Sequence, residues 1–229
     1  MDKVRVESFD LKGVKIKTTV IDIPNSKAID EHISSLLHSA SENRTKVIGF
    51  DIQYYLIGDT YSKYRRNCYE SRCANLNFCV GQSCLIIRLK CDYPLNLKYS
   101  VTSSFNSVLN LLSLPDYTFV GVGIKHNLAK LEQQYGIGCM NAVELGPLAA
   151  SIMNKPRLSY CGVDELAFVV NNLDLRKHRP LSMNYDWGCN PLSIELVKLA
   201  TVYVYSYYKI GSTLLAWDSS IPPEPSFDE

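Results

Sequence analysis

The sequence has no long apolar run and no excess of either charge. No stretch approaches the roughly 18 consecutive apolar residues of a membrane-spanning helix, and the net charge is only +1 over 229 residues. So weak a charge excludes the global cationic field behind strong nonspecific nucleic-acid binding, and any such binding must rest on local basic patches. The chain starts with charged residues, which argues against a signal peptide. We expect an intracellular protein, in the nucleus or cytoplasm and not at a membrane.

Cysteine is plentiful, but its spacing matches no metal-binding motif. Five of the eight cysteines fall between residues 68 and 91, yet no two are spaced as Cys-x-x-Cys, and the four histidines lie far from them in sequence. We therefore predict reduced thiols rather than a structural zinc site. Cys79 and Cys84 are expected to be buried in strands as small apolar residues.

The composition is that of one globular domain. Hydrophobic residues make up 46% of the chain, enough at this length to bury one sizeable core. We predict a single domain over residues 1–218. Residues 219–229 are rich in proline and acid and are predicted to form a disordered tail.

Hydrophobic periodicity predicts strands alternating with helices. A hairpin turning at Lys12-Gly13 opens the chain, and further strands are predicted at residues 46–54, 74–80, 83–89 and 118–122. Helices are predicted at residues 28–40, 104–114, 125–135, 145–153, 162–171 and 191–217. Ser26 is the expected N-cap of the first helix, and Pro191 the first residue of the last. This order predicts an α/β fold with a mixed sheet.

The strand at residues 46–54 ends in a pattern that is almost metal-binding. Asp51 and Gln53 are two residues apart and therefore share one face of the strand. Two carboxylates in this arrangement would suit Mg²⁺, which prefers anionic oxygen ligands. Gln53 has the size of glutamate without its charge, so the strand offers only one carboxylate.

Several segments, in order along the chain, resemble one protein family. They are Val47-Ile48-Gly49-Phe50-Asp51, Leu76-Asn77-Phe78-Cys79-Val80-Gly81, Cys84-Leu85-Ile86, Phe119-Val120-Gly121-Val122-Gly123-Ile124, Lys130-Leu131-Glu132, Tyr135-Gly136, Tyr185-Asp186-Trp187 and Ile210-Gly211. Together they resemble plant proteins similar to the Werner syndrome exonuclease domain, a branch of the DEDD 3′–5′ exonucleases. The resemblance implies an RNase H-like fold, with a mixed sheet of five to six strands flanked by helices.

The same resemblance implies where the catalytic groups of an active member would lie. Asp51 keeps the first metal-binding aspartate, and Gln53 replaces the glutamate. Asn127 replaces the second aspartate, Leu199 the tyrosine and Tyr203 the last aspartate. Four of the five expected groups are therefore changed, and Asp51 is at most the one metal ligand that remains.

A shifted alignment does not supply the missing carboxylates. No acidic residue occurs in residues 117–131 or 196–217, and Asp59 and Asp186 are the only other candidates for a rearranged site. Two Mg²⁺ ions bring four positive charges, against which Asp51 supplies one negative charge. We therefore expect no cofactor, with Mg²⁺ or Mn²⁺ relevant only if nuclease activity is retained.

These observations favour a degenerate exonuclease-like protein that acts by binding nucleic acid or protein. The alternatives are a residual metal-dependent 3′–5′ exonuclease acting on DNA or RNA, and a fold without a surviving role. Tyrosine beside arginine suits weak single-strand binding, although a basic loop can equally be only a solvated surface. The candidate residues are Tyr64, Arg65, Arg66, Arg72, Lys177 and Arg179.

Self-association, with copies of the chain or with related subunits, is a further expectation. It rests on the tyrosines of the predicted last helix, because tyrosine is enriched at protein interfaces.

Overall fold

The computed structural model describes residues 4–23, 25–42, 46–58, 69–89, 101–178, 186–189 and 191–218. The strands are β1 (Val4–Leu11), β2 (Val14–Asp22), β3 (Val47–Gly58), β4 (Tyr69–Val80), β5 (Ser83–Arg88), β6 (Thr118–Gly121) and β7 (Ala142–Glu144). The α-helices are α1 (Ser26–Glu42), α2 (Val101–Leu112), α3 (Ile124–Tyr135), α4 (Leu145–Ile152), α5 (Val163–Asn171) and α6 (Ile194–Asp218). Short 3₁₀ turns lie at Pro156–Tyr160 and Arg176–His178.

The strands form one mixed sheet in the order β1-β2-β5-β4-β3-β6-β7. β2 and β5 are parallel, as are β3, β6 and β7, and the other neighbours are antiparallel. The predicted mixed sheet is therefore confirmed, but it has seven strands in the described residues rather than five or six. The extra strand is β7, whose three residues are too short to produce a periodic signal.

Element ends differ from the predictions where a neighbouring side chain provides the cap. Asn25, not Ser26, caps α1, because its side-chain oxygen accepts the N–H of Ala28 at 3.1 Å. α6 begins after Ser193, whose hydroxyl accepts the N–H of Leu196 at 3.3 Å, so Pro191 precedes the helix. β3 extends beyond residue 54 and β4 begins before residue 74, so the two form a hairpin with long arms.

The core has two layers, one on each face of the sheet. On one face Phe50 stacks on Phe78 with ring centroids 4.9 Å apart, beneath α1, α2 and α3. The other face is covered by α4, α5 and α6. The predicted burial of Cys79 and Cys84 is confirmed, and both are free thiols on neighbouring strands.

Helix α6 lies against the sheet at a glycine. A Cβ atom on Gly49 of β3 would lie 2.3 Å from the backbone oxygen of Val204 and 2.7 Å from the backbone nitrogen of Tyr208. Only glycine permits this approach. Thr18 of β2 and Thr201 of α6 also share a buried hydroxyl hydrogen bond of 2.8 Å. These contacts fix α6 beside the polar end of β3. No helix among the described residues is long and apolar enough to cross a membrane.

Candidate functional site

A row of buried polar side chains lies on the α6 side of the central hairpin. Asp51 and Gln53 of β3 stand opposite Asn77 and Asn75 of β4 in the strand register. The exposed fraction is 7% for Asp51 and 8% for Gln53, and both asparagines are fully buried. Strand alternation explains the clustering, because residues two apart share a face and register partners lie side by side.

Three of these side chains form a directed hydrogen-bond chain. The amide nitrogen of Asn77 donates to the side-chain oxygen of Gln53, and the amide nitrogen of Gln53 donates to a carboxylate oxygen of Asp51. Both ends of the Gln53 amide are therefore used. A glutamate at position 53 could still accept from Asn77, but it would set a second carboxylate against Asp51.

Asp51 is a buried acid whose pKa is not lowered by a cation among the described residues. Burial raises the pKa of Asp51 to about 7, although hydrogen bonds from the backbone of Ile52 and the side chain of Gln53 act in the opposite direction. Part of the population is therefore protonated and neutral near physiological pH.

Asn75 is the unexplained member of the row. Neither its amide nitrogen nor its amide oxygen has a hydrogen-bond partner within the described residues, and the same is true of the Asn77 side-chain oxygen. Buried amides are normally paired, so these atoms are the place to expect internal water.

Helix α6 adds a buried phenol to this face. Tyr207 is 5% exposed, and burial raises its pKa, with further contributions from the charges of Asp51, Tyr203 and Glu144. Tyr203 is half-buried and packs against the apolar layer under α6. Leu199 is 2% exposed and brings no polar group.

Glu144 is a carboxylate near this site that the sequence analysis did not identify. It ends β7 and accepts the backbone N–H of Gly123 at 2.5 Å. Because β3, β6 and β7 are parallel, their carboxyl ends meet at one edge of the sheet. β6 separates Glu144 from Asp51, so the two carboxylates lie on strands roughly 10 Å apart. The only feature of the sequence that pointed to Glu144 was its position at the end of a short apolar segment, Ala142–Val143.

Asn127 lies in the first turn of α3, as predicted, but the contact that holds it is made by its backbone. Its carbonyl oxygen accepts the hydroxyl of Tyr54 at 2.9 Å, and the Tyr54 ring lies 4.9 Å from the ammonium of Lys130. Phe50 and Tyr54 pack on the face of β3 that carries α1 and α3, whereas Asp51 and Gln53 face α6.

Among the described residues, the donor set around Asp51 does not fit a two-metal centre. Asp51 already accepts an amide N–H, its neighbour Gln53 is the amide donor, and Glu144 stands two strands away. Balancing two divalent cations needs several anionic oxygens in contact with both ions. Among the described residues, no group of three or more His, Cys, Asp or Glu side chains could hold a metal. Asp186 accepts the N–H of Gly188, and Gly188 lies beside the side chain of Tyr55 on β3.

The basic candidates are only partly described. Tyr64, Arg65, Arg66 and Arg179 lie outside the described residues, as does Asp59. Arg72 lies on β4 opposite Tyr55 of β3, and Lys177 lies in the short turn before α6. The two described members are therefore on separate elements.

The mixed sheet, its flanking helices and the polar end of β3 define the RNase H-like fold of 3′–5′ exonuclease domains, as the resemblance implied. Among solved structures, the chain is similar to NrnC of Brucella melitensis, with 12% identity, 87% of this chain and 80% of that chain covered, and a TM-score of 0.56. RNase D of Escherichia coli, an exoribonuclease, shares 14% identity at a TM-score of 0.60, over 87% of this chain and 45% of that one. A GMP complex of Trypanosoma brucei RNase D shares 14% identity at a TM-score of 0.62, over 86% and 57%.

A sequence relative points in the same direction. The chain is 25% identical over 207 residues to the RISC-interacting clearing 3′–5′ exoribonuclease 1 of Arabidopsis thaliana, across 88% of this chain and 96% of that protein. No family model matches the chain. Together the sequence relative and the shared fold support the DEDD 3′–5′ exonuclease superfamily.

Proposed function

We propose that this chain is a degenerate DEDD exonuclease-like protein that binds the 3′ end of single-stranded RNA without hydrolysing it. Within the superfamily, we propose that it is one of the plant proteins similar to the Werner exonuclease domain. The preference for RNA rests on its similarity to an exoribonuclease.

The observation that carries the proposal is the hydrogen bond from Gln53 to Asp51. Hydrolysis by two metal ions needs a second anionic ligand beside Asp51. This chain instead has Gln53 at that position, and its amide N–H donates to the carboxylate of Asp51. That donor favours a carboxylate without a metal, since it supplies a partial positive charge where a cation would otherwise bind. We propose that a 3′-terminal nucleotide binds at the carboxyl ends of β3, β6 and β7, held by stacking and hydrogen bonding.

The test uses single-stranded RNA labelled at its 5′ end, incubated with the protein and Mg²⁺ or Mn²⁺. We expect intact RNA and a binding signal by fluorescence anisotropy that is stronger for RNA than for DNA of the same sequence. An Asp51→Ala variant is the control, because a contaminating nuclease would be unaffected by it. A ladder of shortened products that disappears in this variant would overturn the loss of catalysis, and absence of binding would overturn the binding role.

Residual 3′–5′ exonuclease activity is the second candidate, and Glu144 favours it. Asp51 and Glu144 both lie at the carboxyl edge of the parallel strands, and the charges of both act on Tyr207. If this candidate is right, Glu144→Gln should reduce activity as strongly as Asp51→Asn. Glu165→Gln, on α5, is the matched control and should leave activity unchanged.

The expected self-association also remains a proposal, but the surface we first assigned to it is largely used inside the monomer. Tyr205 and Tyr207 of α6 are each 5% exposed, and Tyr203 and Tyr208 are half-buried. Another surface must therefore provide any large contact between copies.

A further inference from the structure

The sheet has two unequal edges. β7 ends one side with three residues, whereas β1 ends the other with eight residues in unbroken register with β2. Edge strands are usually protected by charged side chains, above all lysine, by proline or by a bulge. β1 has no lysine, proline or bulge, although it carries Arg5, Glu7 and Asp10, and no strand among the described residues pairs with its outer side.

The backbone groups on that edge can be assigned from the turn. Lys12 and Gly13 both have positive φ angles, 56° and 80°, as in the two-residue hairpin turns that match strand twist. Such a turn closes on a hydrogen-bonded pair, here Leu11 with Val14. Because hydrogen-bonded and non-hydrogen-bonded pairs alternate along an antiparallel ladder, the N–H and C=O groups of Val4, Val6 and Ser8 point away from β2.

The side chains of β1 separate by face. Val4 is 40% exposed and Val6 is 50% exposed, and they share one face of the strand. The opposite face carries Arg5 and Glu7, which form an ion pair of 3.5 Å along the strand. Arg5 also donates to the backbone oxygen of Leu192 at 3.0 Å, which anchors it on the α6 side of the sheet.

We propose that two copies of this chain join through β1, antiparallel, about a two-fold axis at Val6. In this register Val6 of one copy pairs with Val6 of the other, and Val4 pairs with Ser8 through the outward backbone groups. Arg5 of each copy then lies opposite Glu7 of the other. Opposite charges in directly facing positions stabilise a strand pair.

Charge selects this register over its neighbours. An axis at Arg5 would place the two arginines opposite each other, and an axis at Glu7 would do the same with the two glutamates. Like charges that face each other across strands are destabilising. The register at Val6 also brings Val4 and Val6 of both copies together on one face of the joined sheet. These four side chains would then bury part of the apolar surface that each copy exposes to water. The pairing does not depend on the proposed loss of catalysis, because β1 lies four strands away from β3.

The first test is the mass of the full chain in solution by light scattering at micromolar concentrations. We expect twice the 25.8 kDa of one chain. Arg5→Glu and Glu7→Arg should each weaken the dimer about tenfold or more, since each creates facing like charges. Combining both changes in one chain should restore it, and mixing the two single variants should give a heterodimer. A monomeric wild type, or a dimer insensitive to both single changes, overturns the proposal.

A cross-linking test fixes the register. Val6→Cys should form a disulfide between copies under mild oxidation, because facing residues of a hydrogen-bonded pair have Cα atoms about 5.5 Å apart. Ser8→Cys is the matched control on the same face. Its two copies would be about four residues apart along the strands, out of disulfide reach. Wild type reports any background from the native cysteines. Equal cross-linking by the two variants would show that the register is wrong.

Discussion

Asp51 has an unusual environment for a carboxyl group. It is buried, no cation lies opposite it in the described part of the chain, and its hydrogen-bond donors are an amide side chain and a backbone N–H. Such a group costs free energy when ionised, because burial removes its hydration. The cost is tolerable because the carboxyl group can hold its proton up to about neutral pH.

This environment predicts a pH-dependent stability that Asp51→Asn removes. The folded pKa of about 7 lies above the usual value of 3.8, so between these limits the folded state binds more protons than the unfolded one. The stability contribution of the neutral acid is complete below the unfolded pKa and is lost as the pH rises through 7. An asparagine side chain at this position would not ionise at all, so Asp51→Asn should match wild type at low pH and exceed it at pH 8, by on the order of 2–4 kcal/mol.

Urea unfolding at several pH values provides the measurement. Asp116→Asn is the control, because that carboxylate lies on the surface and its ion pair with Lys46 is exposed. If the Asp51→Asn and wild-type curves remain parallel across the range, the carboxyl group is not buried as described.

Gln53 allows a second prediction at the same scale. Gln53→Glu removes the donor to Asp51 and adds a facing carboxylate, so the free energy of unfolding at pH 8 should fall by about 3 kcal/mol or more. Gln53→Leu, the uncharged control, loses both hydrogen bonds of Gln53 but adds no carboxylate, and its free energy of unfolding should fall less. Mn²⁺ should raise the melting temperature of the Gln53→Glu variant alone. Equal losses in the two variants would show that repulsion from Asp51 is not the cause.

At the scale of elements, the position of α6 depends on Gly49. Alanine there would meet the backbone of Val204 and Tyr208, and neither can move without shifting the helix. We predict that Gly49→Ala lowers the free energy of unfolding by about 3 kcal/mol. Gly138→Ala is the matched control, because a Cβ atom there has nothing within 4 Å, and it should be neutral. Similar losses at both sites would contradict the close approach.

The sequence predicted the elements with strong periodicity and missed those whose identity depends on neighbours. The helix that stops at Gly136 was predictable because Gly136 adopts the left-handed conformation that ends helices. The three-residue β7 exists only because β6 pairs with it, so Glu144 was not associated with the site. The assignment of Gln53, Asn127, Leu199 and Tyr203 to catalytic positions rests on the order of the motifs and remains a prediction. The hydrogen bond from Gln53 to Asp51 could not be predicted from the sequence. The orientation of the Gln53 amide depends on Asn77, which reaches Gln53 only because of the register between β3 and β4.

Introducing the four catalytic groups that the resemblance implies should not produce efficient catalysis, because α6 packs around the residues that are present at two of these positions, Leu199 and Tyr203. Leu199 is 2% exposed, and a tyrosine there would overfill the site at a cost of about 1–3 kcal/mol. In a variant with Gln53→Glu, Asn127→Asp, Leu199→Tyr and Tyr203→Asp, we expect Mn²⁺ binding by calorimetry but only feeble hydrolysis of labelled RNA. Full activity in this variant would mean that only charges had been lost and that the supporting structure had been kept.

At the scale of the whole molecule, the net charge of +1 constrains the proposed binding of RNA. A protein with a strong positive field binds phosphates over much of its surface, whereas this chain must use a few local cations. The affinity for single-stranded RNA should therefore fall with salt along a shallow line, with a log–log slope of about −0.7 for each phosphate contact.

Arg72 tests which cations make those contacts. It lies on β4, on the hairpin that also carries Asp51 and Gln53, so Arg72→Gln should weaken RNA binding and flatten the salt slope by about 0.7, the loss of one phosphate contact. Arg157→Gln is the matched control, because Arg157 lies on the 3₁₀ turn after α4 and pairs with Glu165 at 3.7 Å. It should change neither affinity nor slope. Anisotropy titrations at several salt concentrations measure both quantities. If the two variants flatten the slope equally, RNA is held by diffuse surface charge and not by a path along the β3–β4 hairpin.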